Sequence, residues 1–371
     1  MKLTIGINAL YLIPGQVGGT EIYLWNLLAE MCAAAPEDGF VLFVGREVGD
    51  ASVAPNCRVV VAPVSSRVRP ARILWEQMGL PAAAARCRLD VMLNPGFTAP
   101  VLCPCPMVTV FHDLQHKRHP EYFRWFDLPF WRILLWASAR RSRALIAPSE
   151  ATAADLRRYY GVPAGRIHLV PHGVEERFRR ICEQRRGAAS PALLLAVSTL
   201  HPHKNLDRLL RVFARFRQAR PEFRLAIVGL RGFAADELKA VAANLGLESA
   251  VEITGWIPRE RLYEYFLEAR AFVYPSLFEG FGMPVAEAMA AGIPSACSDI
   301  EPLRGLAAGG CLLFDPSSDT AMLEAIERLV ADEALRRELA ERGPAAAARY
   351  SWTATAEGTL RVLRASAAGA G

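Results

Sequence analysis

Two glutamates separated by seven residues stand where a predicted strand gives way to a predicted helix. Glu279 falls in the turn after the strand, and Pro284 suits the first turn of the helix that carries Glu287. Two glycines in the turn let backbone N–H groups approach an anion at the positive end of that helix. The pattern predicts an anion seat whose flanking carboxylates accept hydrogen bonds from sugar hydroxyls. The alternative is that both glutamates are surface charges, with Phe281 and Met283 as ordinary core residues.

A lysine precedes another predicted helix in the second half of the chain. The strand 193–198 leads to Lys204, and a helical pattern covers 205–219. The ammonium supplies a full positive charge, and the helix dipole adds about half a charge, which together suit a diphosphate. The alternative is a solvated lysine. His201 and His203 stand two residues apart with no third ligand evident, so we expect no metal site there.

Two polar segments follow strands in the first half. The strand 107–111 is followed at once by His112 and Asp113, an imidazole and a carboxylate that can orient a sugar hydroxyl or a reacting group. The alternative is that they cap the next segment. The loop 15–20 is rich in glycine, but its spacing is not that of a dinucleotide fingerprint. Contact with a phosphate or substrate and an ordinary flexible turn are equally compatible with it.

The segment 116–143 interleaves basic and aromatic residues. Its basic residues are Lys117, Arg118, Arg124, Arg132, Arg140, Arg141 and Arg143, and its aromatic residues include Phe123, Trp125, Phe126, Phe130, Trp131 and Trp136. Such a mixture suits an anionic membrane interface or a lipid-linked acceptor. Arg67, Arg69 and Arg72, near Trp75, extend the same patch. The alternative is a core helix with a solvated basic edge.

Short apolar runs alternate with longer helical periods along the chain, which is typical of parallel sheets flanked by helices. The predicted strands are 3–8, 41–44, 58–62, 91–94, 107–111, 144–147, 167–170, 193–198, 225–228, 251–254, 271–274, 294–297 and 311–314. The predicted helices are 20–34, 71–86, 151–160, 205–219, 234–245, 259–269, 284–291, 319–329 and 352–365. We therefore predict an α/β protein of two doubly wound domains, with ligands beyond the carboxyl ends of the strands and facing the cleft between the domains.

Length and charge set the domain organisation. The chain has 371 residues, more than the roughly 250–300 that one core usually serves. A break rich in small residues at 185–191 predicts domains 1–186 and 187–351, with a final helix, 352–366, completing the first. The first 186 residues carry a net charge of +7 and the remainder −2, a surplus too small to predict nucleic-acid binding.

Cysteine usage and hydropathy indicate the compartment. The eight cysteines lack the paired C-x-x-C spacing of a zinc or redox site, so we expect reduced thiols and a cytoplasmic protein. The first residues read as a buried strand and not as a signal peptide, because Asn8 interrupts the apolar run. No apolar run reaches the ~18–20 residues of a membrane span. Contact with the inner face of the cytoplasmic membrane follows if segment 116–143 binds lipid.

The stretch E-G-F-G-M-P-V-A-E at 279–287 resembles the Glu-x7-Glu motif of glycosyltransferase family 4. Further similarities to that family occur in order along nearly the whole chain. They are G-G-T-E at 18–21, F-H-D at 111–113, A-P-S-E at 147–150, V-P-H-G-V at 170–174, H-K-N at 203–205, T-G-W at 254–256 and Y-S-W at 350–352. The resemblance implies a GT-B fold, with the nucleotide-sugar donor mainly on the second domain and the acceptor mainly on the first.

The resemblance also implies roles for individual residues. Glu287 would bind the ribose, Glu279 the transferred sugar and Lys204 the diphosphate. The expected donor-binding residues are Gly18, Gly19, Thr199, Lys204, Asn205, Gly229, Trp256, Ile257, Glu279, Phe281, Gly282, Met283, Pro284 and Glu287. We expect His112, Lys204 and Glu279 to be catalytic, and Asp113, His116 and Tyr122 to lie on the acceptor side.

The chain departs from the family pattern at two positions. Many relatives carry an arginine, as a second diphosphate cation, where this chain has Thr199, and a glutamate where Gly305 aligns. The first departure leaves Lys204 without a second cation for binding the diphosphate, unless another cation nearby takes that place. The sequence Asp299-Ile300-Glu301 imitates a metal motif, but it matches an ordinary loop of the family, so we expect no metal and no other cofactor.

These observations together predict a retaining, metal-independent glycosyltransferase. We expect it to move a hexose, with GDP-mannose as the first choice of donor, onto a lipid-linked or oligosaccharide acceptor in surface glycan synthesis. UDP-glucose and UDP-GlcNAc stay open as donors. The alternatives in other classes are a catalytically silent subunit that binds a sugar nucleotide and regulates a partner, and an epimerase of the same fold.

Overall fold

The structure is a computed structural model that describes residues 2–49, 53–123, 125, 128–186, 191–230 and 235–369. Contacts between Cα atoms divide the chain into two compact units. The first unit contains Met1–Gly173 together with Trp352–Gly371, and the second is Val174–Ser351. Among the described residues, no helix combines the length and the apolar character that crossing a bilayer requires.

The first unit is built on a parallel sheet of seven strands. The strands are β1 (Thr4–Ala9), β2 (Gly39–Val44), β3 (Cys57–Val61), β4 (Val91–Asn94), β5 (Met107–Val110), β6 (Ala144–Ala147) and β7 (Ile167–Leu169). They lie in the order β3-β2-β1-β4-β5-β6-β7. The order reverses between β1 and β4, and such a switch point opens a crevice at the carboxyl ends of the strands.

Helices cover the sheet of the first unit. They are α1 (Gly19–Ala34), α2 (Arg69–Arg86), the short α3 (Gln115–Arg118), α4 (Leu128–Arg141), α5 (Glu150–Tyr160) and, from the far end of the sequence, α14 (Trp352–Ala368). Helix α14 packs on α1 and on three strands. The ring of Trp352 meets that of Tyr23 with centroids 5.8 Å apart, and both side chains are buried. The last helix therefore belongs to the core of the first unit.

The second unit contains a parallel sheet of six strands. They are β8 (Leu193–Val197), β9 (Arg224–Val228), β10 (Val251–Gly255), β11 (Ala271–Tyr274), β12 (Ser295–Ser298) and β13 (Leu312–Phe314), in the order β10-β9-β8-β11-β12-β13. Strand β8 is buried on both faces, because Leu193 and Leu195 enter one core cluster and Leu194 and Ala196 enter another. The strand order reverses between β8 and β11.

The helices of the second unit lie on both faces of this sheet. They are α6 (Glu176–Arg185), α7 (Leu206–Ala219), α8 (Ala235–Asn244), α9 (Arg259–Glu268), α10 (Met283–Ala290), α11 (Leu303–Ala307), α12 (Asp319–Ala331) and α13 (Glu333–Ala347). The predicted α/β class, with two Rossmann-like parallel-sheet domains, is confirmed by this architecture.

The division between the units falls at Gly173 and not at the predicted Arg186. Helix α6 accounts for the difference, because it packs into the second unit. Its buried Phe178 meets Phe266 with ring centroids 4.7 Å apart. Arg185 donates to the carbonyl of Phe266 across 3.0 Å. The segment 187–190 of the predicted linker lies outside the described residues.

Candidate active site

The loops that carry Lys204 and Glu279 follow neighbouring strands. Lys204 comes after β8, and Glu279 comes after β11. These are the two strands between which the order of the second sheet reverses, so the topology alone brings their carboxyl ends together at a ligand-binding crevice.

Backbone and side-chain hydrogen bonds join the two loops. The N–H of Leu277 donates to the carbonyl of His203 across 2.7 Å, and the hydroxyl of Ser276 donates to the same oxygen across 3.3 Å. The amide of Asn205 donates to the carbonyls of Pro275, at 3.2 Å, and Pro316, at 2.9 Å. Asn205, predicted to bind the donor, is buried and links loops in this structure. It fixes the backbone beside Lys204.

Lys204, Glu279 and Tyr274 form a triangle of hydrogen bonds. Lys204 Nζ lies 2.5 Å from Glu279 Oε1 and 3.1 Å from Tyr274 Oη, which in turn donates to Glu279 Oε1 across 2.7 Å. The Lys204 and Glu279 side chains are 14% and 10% exposed. Burial and the nearby Glu279 carboxylate raise the pKa of Tyr274, so its hydroxyl stays protonated and donates. The positive charge of Lys204 and the negative charge of Glu279 therefore neutralise each other where both side chains are largely shielded from solvent.

The turn after Glu279 leads into the positive end of α10. Gly282 precedes the helix with φ +100°, a left-handed conformation that favours glycine. A Cβ there would lie 2.4 Å from Leu303 Cδ2. Pro284 occupies the first turn, Met283 begins the helix, and Phe281 is buried in a core cluster. The predicted strand, glycine turn and helix are therefore all present, and Phe281 also serves as a core residue.

Glu287 lies one turn into α10 and pairs with an arginine that the sequence did not single out. Arg259, the first residue of α9, donates from Nη2 to Glu287 Oε1 across 2.7 Å. It also donates to Glu175 Oε1, from Nη2 at 2.6 Å and from Nε at 3.1 Å. The Tyr263 hydroxyl donates to the other oxygen of Glu175. Glu287, which is buried, is thus one member of a network of four side chains, and the other three are partly buried.

The charged groups in this network change one another's pKa values. Burial raises the pKa of Glu287, and the Arg259 guanidinium opposes that rise. Burial lowers the pKa of Arg259, but the carboxylates of Glu287 and Glu175 outweigh burial and raise it. Arg259 therefore stays charged and favours the ionised form of Glu287.

The other residues predicted for the donor line the ends of nearby strands. Gly229 follows β9, and a Cβ on it would lie 1.9 Å from the carbonyl oxygen of Ser198, so the backbones need glycine to meet there. Thr199 follows β8, and its carbonyl accepts the His201 N–H across 2.8 Å. Trp256, after β10, is exposed. Its neighbour Ile257 packs against a core cluster.

His112 lies buried in the first unit with both ring nitrogens engaged. Nε2 donates to the carbonyl of Pro95 across 2.8 Å, so Nδ1 accepts from His172 Nε2 across 3.1 Å. The edge of the Tyr23 ring meets the imidazole at a centroid distance of 4.8 Å. Burial lowers the pKa of His112 to about 4. It is a neutral imidazole, and the predicted catalytic role stays a prediction.

The predicted acceptor residues lie in and around the short α3. Asp113 accepts the N–H of Gln115 across 2.9 Å, which is the capping alternative considered from the sequence. His116 is buried and lies 2.6 Å from the Tyr160 hydroxyl. Tyr122 stacks on His119 with ring centroids 5.4 Å apart. Each of these side chains has a structural contact, and their acceptor role stays a prediction.

The glycine-rich loop of the first unit closes on its own carboxylate. Gly18 has φ +70° and precedes α1, which begins at Gly19. The N–H of Gly15 donates to both oxygens of Glu21 at 3.0 Å. Glu21 therefore holds this loop through its backbone, and the donor-binding role expected of Gly18 and Gly19 stays a prediction.

The basic and aromatic segment forms α4 and its flanks. Leu134 and Leu135 are buried, whereas Ile133 is 67% exposed and Trp125 is 83% exposed. Arg69, on α2, lies 4.0 Å from the centre of the Trp131 ring. The helix therefore has both a core face and an apolar exposed face. Arg124 and Phe126 lie outside the described residues.

The sequence Asp299-Ile300-Glu301 is engaged in ion pairs. Arg304 donates to Asp299 Oδ1 across 2.7 Å and lies 3.5 Å from Glu301 Oε1. Across the part of the chain that the structure describes, no group of three or more His, Cys, Asp or Glu side chains could hold a metal ion.

The structure brings Lys204 and Glu279 into direct contact and adds partners that sequence reasoning missed. These partners are Tyr274, Arg259, Glu175 and Tyr263. Tyr274 read as part of a buried strand, and Arg259 read as one of many charges on a helix. Only their positions could have pointed to them, because Tyr274 ends β11 and Arg259 begins α9 shortly after the T-G-W segment.

Two family models match successive halves of the chain. Residues 17–178 match the model described as Glycosyltransferase Family 4, and residues 180–346 match the model described as Glycosyl transferases group 1. Together the two matches cover residues 17–346 except for residue 179.

Individual relatives carry related names. The chain is 28% identical to "O-antigen chain mannosyltransferase B" of Escherichia coli over 66% of either chain. It is 34% identical to "D-inositol 3-phosphate glycosyltransferase" of Acidothermus cellulolyticus over 59% of this chain and 52% of that one. The chain therefore spans about half to two thirds of the length of these curated relatives.

A solved structure shares the whole fold. Sucrose-phosphate synthase from Thermosynechococcus elongatus superposes with a TM-score of 0.82, at 21% identity, over all of each chain. Similarity at this level of identity concerns the fold alone.

Proposed function

Because the chain belongs to the glycosyltransferases of GT-B fold, we propose that it transfers a hexose from a nucleotide sugar to a glycan or lipid-linked acceptor. One observation carries the proposal. Lys204 and Glu279 lie 2.5 Å apart at the strand switch point of the second unit, beside the glycine turn that opens α10. This grouping of a cation, a carboxylate and a helix N-terminus supports the proposal, because a sugar diphosphate is recognised by groups of these kinds.

The chemistry follows from charge. When the bond between the anomeric carbon and the diphosphate breaks, negative charge grows on the leaving oxygen. A fixed cation and aligned N–H groups bind that growing charge more strongly than the ground state, which lowers the barrier. We assign the cation to Lys204 and the N–H groups to Phe281, Gly282 and Met283. This arrangement supplies the charge stabilisation without a metal ion.

We propose that the transfer retains the anomeric configuration by attack on the same face. The acceptor oxygen forms its bond to the anomeric carbon as the bond to the diphosphate breaks, and the leaving diphosphate oxygen takes the acceptor's proton. Glu279 accepts hydrogen bonds from sugar hydroxyls and is not the nucleophile. Mass spectrometry of the enzyme quenched during turnover should show no glycosyl adduct on Glu279, and finding one would overturn this mechanism.

GDP-mannose is our first choice of donor. The support is the name of the Escherichia coli relative, together with the L-H-P-H-K-N-L segment, which is similar to mannosyl-type relatives. A thermal-shift screen against GDP-mannose, UDP-glucose, UDP-GlcNAc and an ADP-sugar tests this, because bound donor raises the unfolding temperature. The largest rise should come with GDP-mannose. If a UDP-sugar gives a larger rise, that UDP-sugar replaces GDP-mannose as the proposed donor. No rise with any of these sugar nucleotides contradicts the proposal.

Single-turnover hydrolysis separates an enzyme from a silent subunit. The protein is mixed, in molar excess, with the sugar nucleotide that raised its unfolding temperature most. An enzyme should release nucleoside diphosphate from this donor, whereas a silent binding subunit should release none. The same assay with EDTA should proceed at an unchanged rate if Lys204 supplies the charge that a metal would otherwise supply. Loss of activity with EDTA, restored by Mg²⁺, contradicts metal independence.

We propose that the acceptor is lipid-linked and that α4 touches the membrane that holds it. The support is the apolar exposed face of α4 and its arginines, since such a face combines apolar insertion with attraction to anionic lipid. The protein should float with vesicles containing phosphatidylglycerol at low salt and not with phosphatidylcholine vesicles. Phe130→Ser with Ile133→Ser should reduce flotation, and the exposed Leu313→Ser in the second unit is the control. If the Phe130→Ser, Ile133→Ser double variant floats as well as the wild type, α4 is not the membrane-binding element.

A further inference from the structure

Arg259 is held from two sides in the second unit. Its Nε and Nη2 donate to one oxygen of Glu175, and the Tyr263 hydroxyl, four residues further along α9, donates to the other. The guanidinium carbon also lies 5.2 Å from the centre of the Phe178 ring and 5.6 Å from that of Tyr263. These contacts fix the plane of the guanidinium, which is already a rigid group.

The remaining bond of Arg259 fixes Glu287. Nη2 donates to Glu287 Oε1 across 2.7 Å, and the Glu287 side chain is 8% exposed. Among the described residues, Glu287 Oε2 has no hydrogen-bond partner. An ionised carboxylate with one oxygen anchored and the other open is suited to accept hydrogen bonds from a hydroxyl-bearing ligand.

We propose that Arg259, supported by Glu175 and Tyr263, is a positioning residue that orients Glu287 to accept hydrogen bonds from the ribose hydroxyls of the donor nucleotide. The inference rests on the proposed function, since it names how the donor site recognises the ribose. Glu175 directly precedes α6, Arg259 begins α9 and Glu287 lies in α10. Three helices therefore determine the direction of one carboxylate.

Ionisation supports the same assignment. Burial raises the pKa of Glu287, and the positive charge of Arg259 counters this. The other titratable groups around this carboxylate are Glu175 and Tyr263, within the network, and Tyr274 on β11. Without Arg259, the carboxyl group would keep its proton to a higher pH and lose an acceptor lone pair.

The test measures ribose discrimination. The wild type is titrated with GDP, UDP and ADP, and the tightest binder is compared with its 2′,3′-dideoxy form. We expect the dideoxy form to bind about tenfold more weakly, because hydrogen bonds to a charged acceptor are lost. In Arg259→Met this difference should fall below about threefold, and Glu287→Gln should reduce it similarly. Arg259→Lys should restore part of it, because the charge returns without the fork of donors.

The control is Arg261→Met on the same helix, where the side chain is 52% exposed and pairs with Glu264. It should keep the wild-type discrimination. If Arg259 were only structural, its loss would weaken both ligands equally and leave the ratio near tenfold, which overturns the inference. If the wild type binds none of the three nucleotides, the proposed function fails instead, so the two failures are distinct.

Discussion

At the scale of single residues, the proposed donor site contains a cation and a carboxylate that neutralise each other. Lys204 faces Glu279 across 2.5 Å, and the Tyr274 hydroxyl contacts both. In the proposed complex, Lys204 would exchange Glu279 for the diphosphate, and Glu279 would exchange Lys204 for sugar hydroxyl groups. Donor binding would then cost little desolvation, because neither charge would be left alone in a nearly buried place.

Replacing Lys204 with Met should reduce kcat/KM by about a hundredfold or more, because the cation that binds the leaving diphosphate is lost. Steady-state kinetics with the donor found in the thermal screen measure this. Lys239→Met, at an exposed position on α8, is the control and should retain wild-type turnover. Activity of the Lys204 variant within threefold of the wild type would contradict its assignment.

Replacing Tyr274 with Phe removes only the hydroxyl that donates to Glu279, which would be the remaining partner of that carboxylate if Lys204 binds the diphosphate as proposed. We expect kcat to fall about tenfold, the value of one hydrogen bond to a charged group. The ring still stacks on Phe272, with centroids 6.0 Å apart, so the folded structure should persist by circular dichroism. Tyr265→Phe, which loses a hydrogen bond to Glu252, is the matched control and should keep kcat. An unchanged kcat in the Tyr274 variant would refute this role.

The sequence carried the charges of the site but not their partners. Glu279 and Lys204 could be found because glycine turns and helix starts next to strands restrict where an anion binds. Arg259 and Tyr274 could not, because their roles depend on which helices and strands become neighbours in space. A buried tyrosine in an apolar strand and an arginine on a charged helix look ordinary before those contacts exist.

At the scale of elements, the two loops after β8 and β11 behave as one unit. Besides the bond between Lys204 and Glu279, three hydrogen bonds join them directly, and Asn205 extends the connection to the loop containing Pro316. The alternation of apolar runs and helical periods predicts all thirteen strands that the structure describes, within two residues at either end. Helices α6, α11 and α13 were not predicted. The highly charged sequence of α6 hides the two positions, Phe178 and Ile181, that enter the core.

Asn205 should be needed for the order of these loops. It adopts a left-handed φ of +57°, so Asn205→Ala loses the side-chain bonds and adds backbone strain of about 1–2 kcal/mol. Asn205→Gly loses the same bonds without that strain. We expect donor affinity to fall in both variants and the unfolding temperature to fall further in the alanine variant. An alanine variant as stable as the glycine variant would show that the conformation is not strained.

At the scale of the whole molecule, both units contain ion pairs with little-exposed carboxylates. In the second unit Arg259 pairs with Glu287, and in the first unit Arg118 pairs with Asp155. The first unit also buries neutral histidines. Burial lowers the pKa of His112 and of His116 to about 4, and that of His172 well below its ordinary value.

These histidines should make the first unit sensitive to acid. The unfolded chain binds their protons below about pH 6.5, whereas the folded chain does so only near pH 4. Stability is therefore complete above pH 6.5 and declines as the pH falls, by about 2 kcal/mol per histidine at pH 5. The unfolding temperature of His116→Gln should fall less between pH 7 and pH 5 than that of the wild type. Equal slopes would mean that His116 does not titrate on unfolding.

The return of the chain to its first unit has a consequence for biosynthesis. Thr353 and Thr355, in α14, donate to the carboxylate of Glu30 and the carbonyl of Pro171, both across 2.8 Å. Helix α14 is translated after every residue of the second unit. During synthesis, the first unit therefore lacks one of its core helices until the whole second unit has been made.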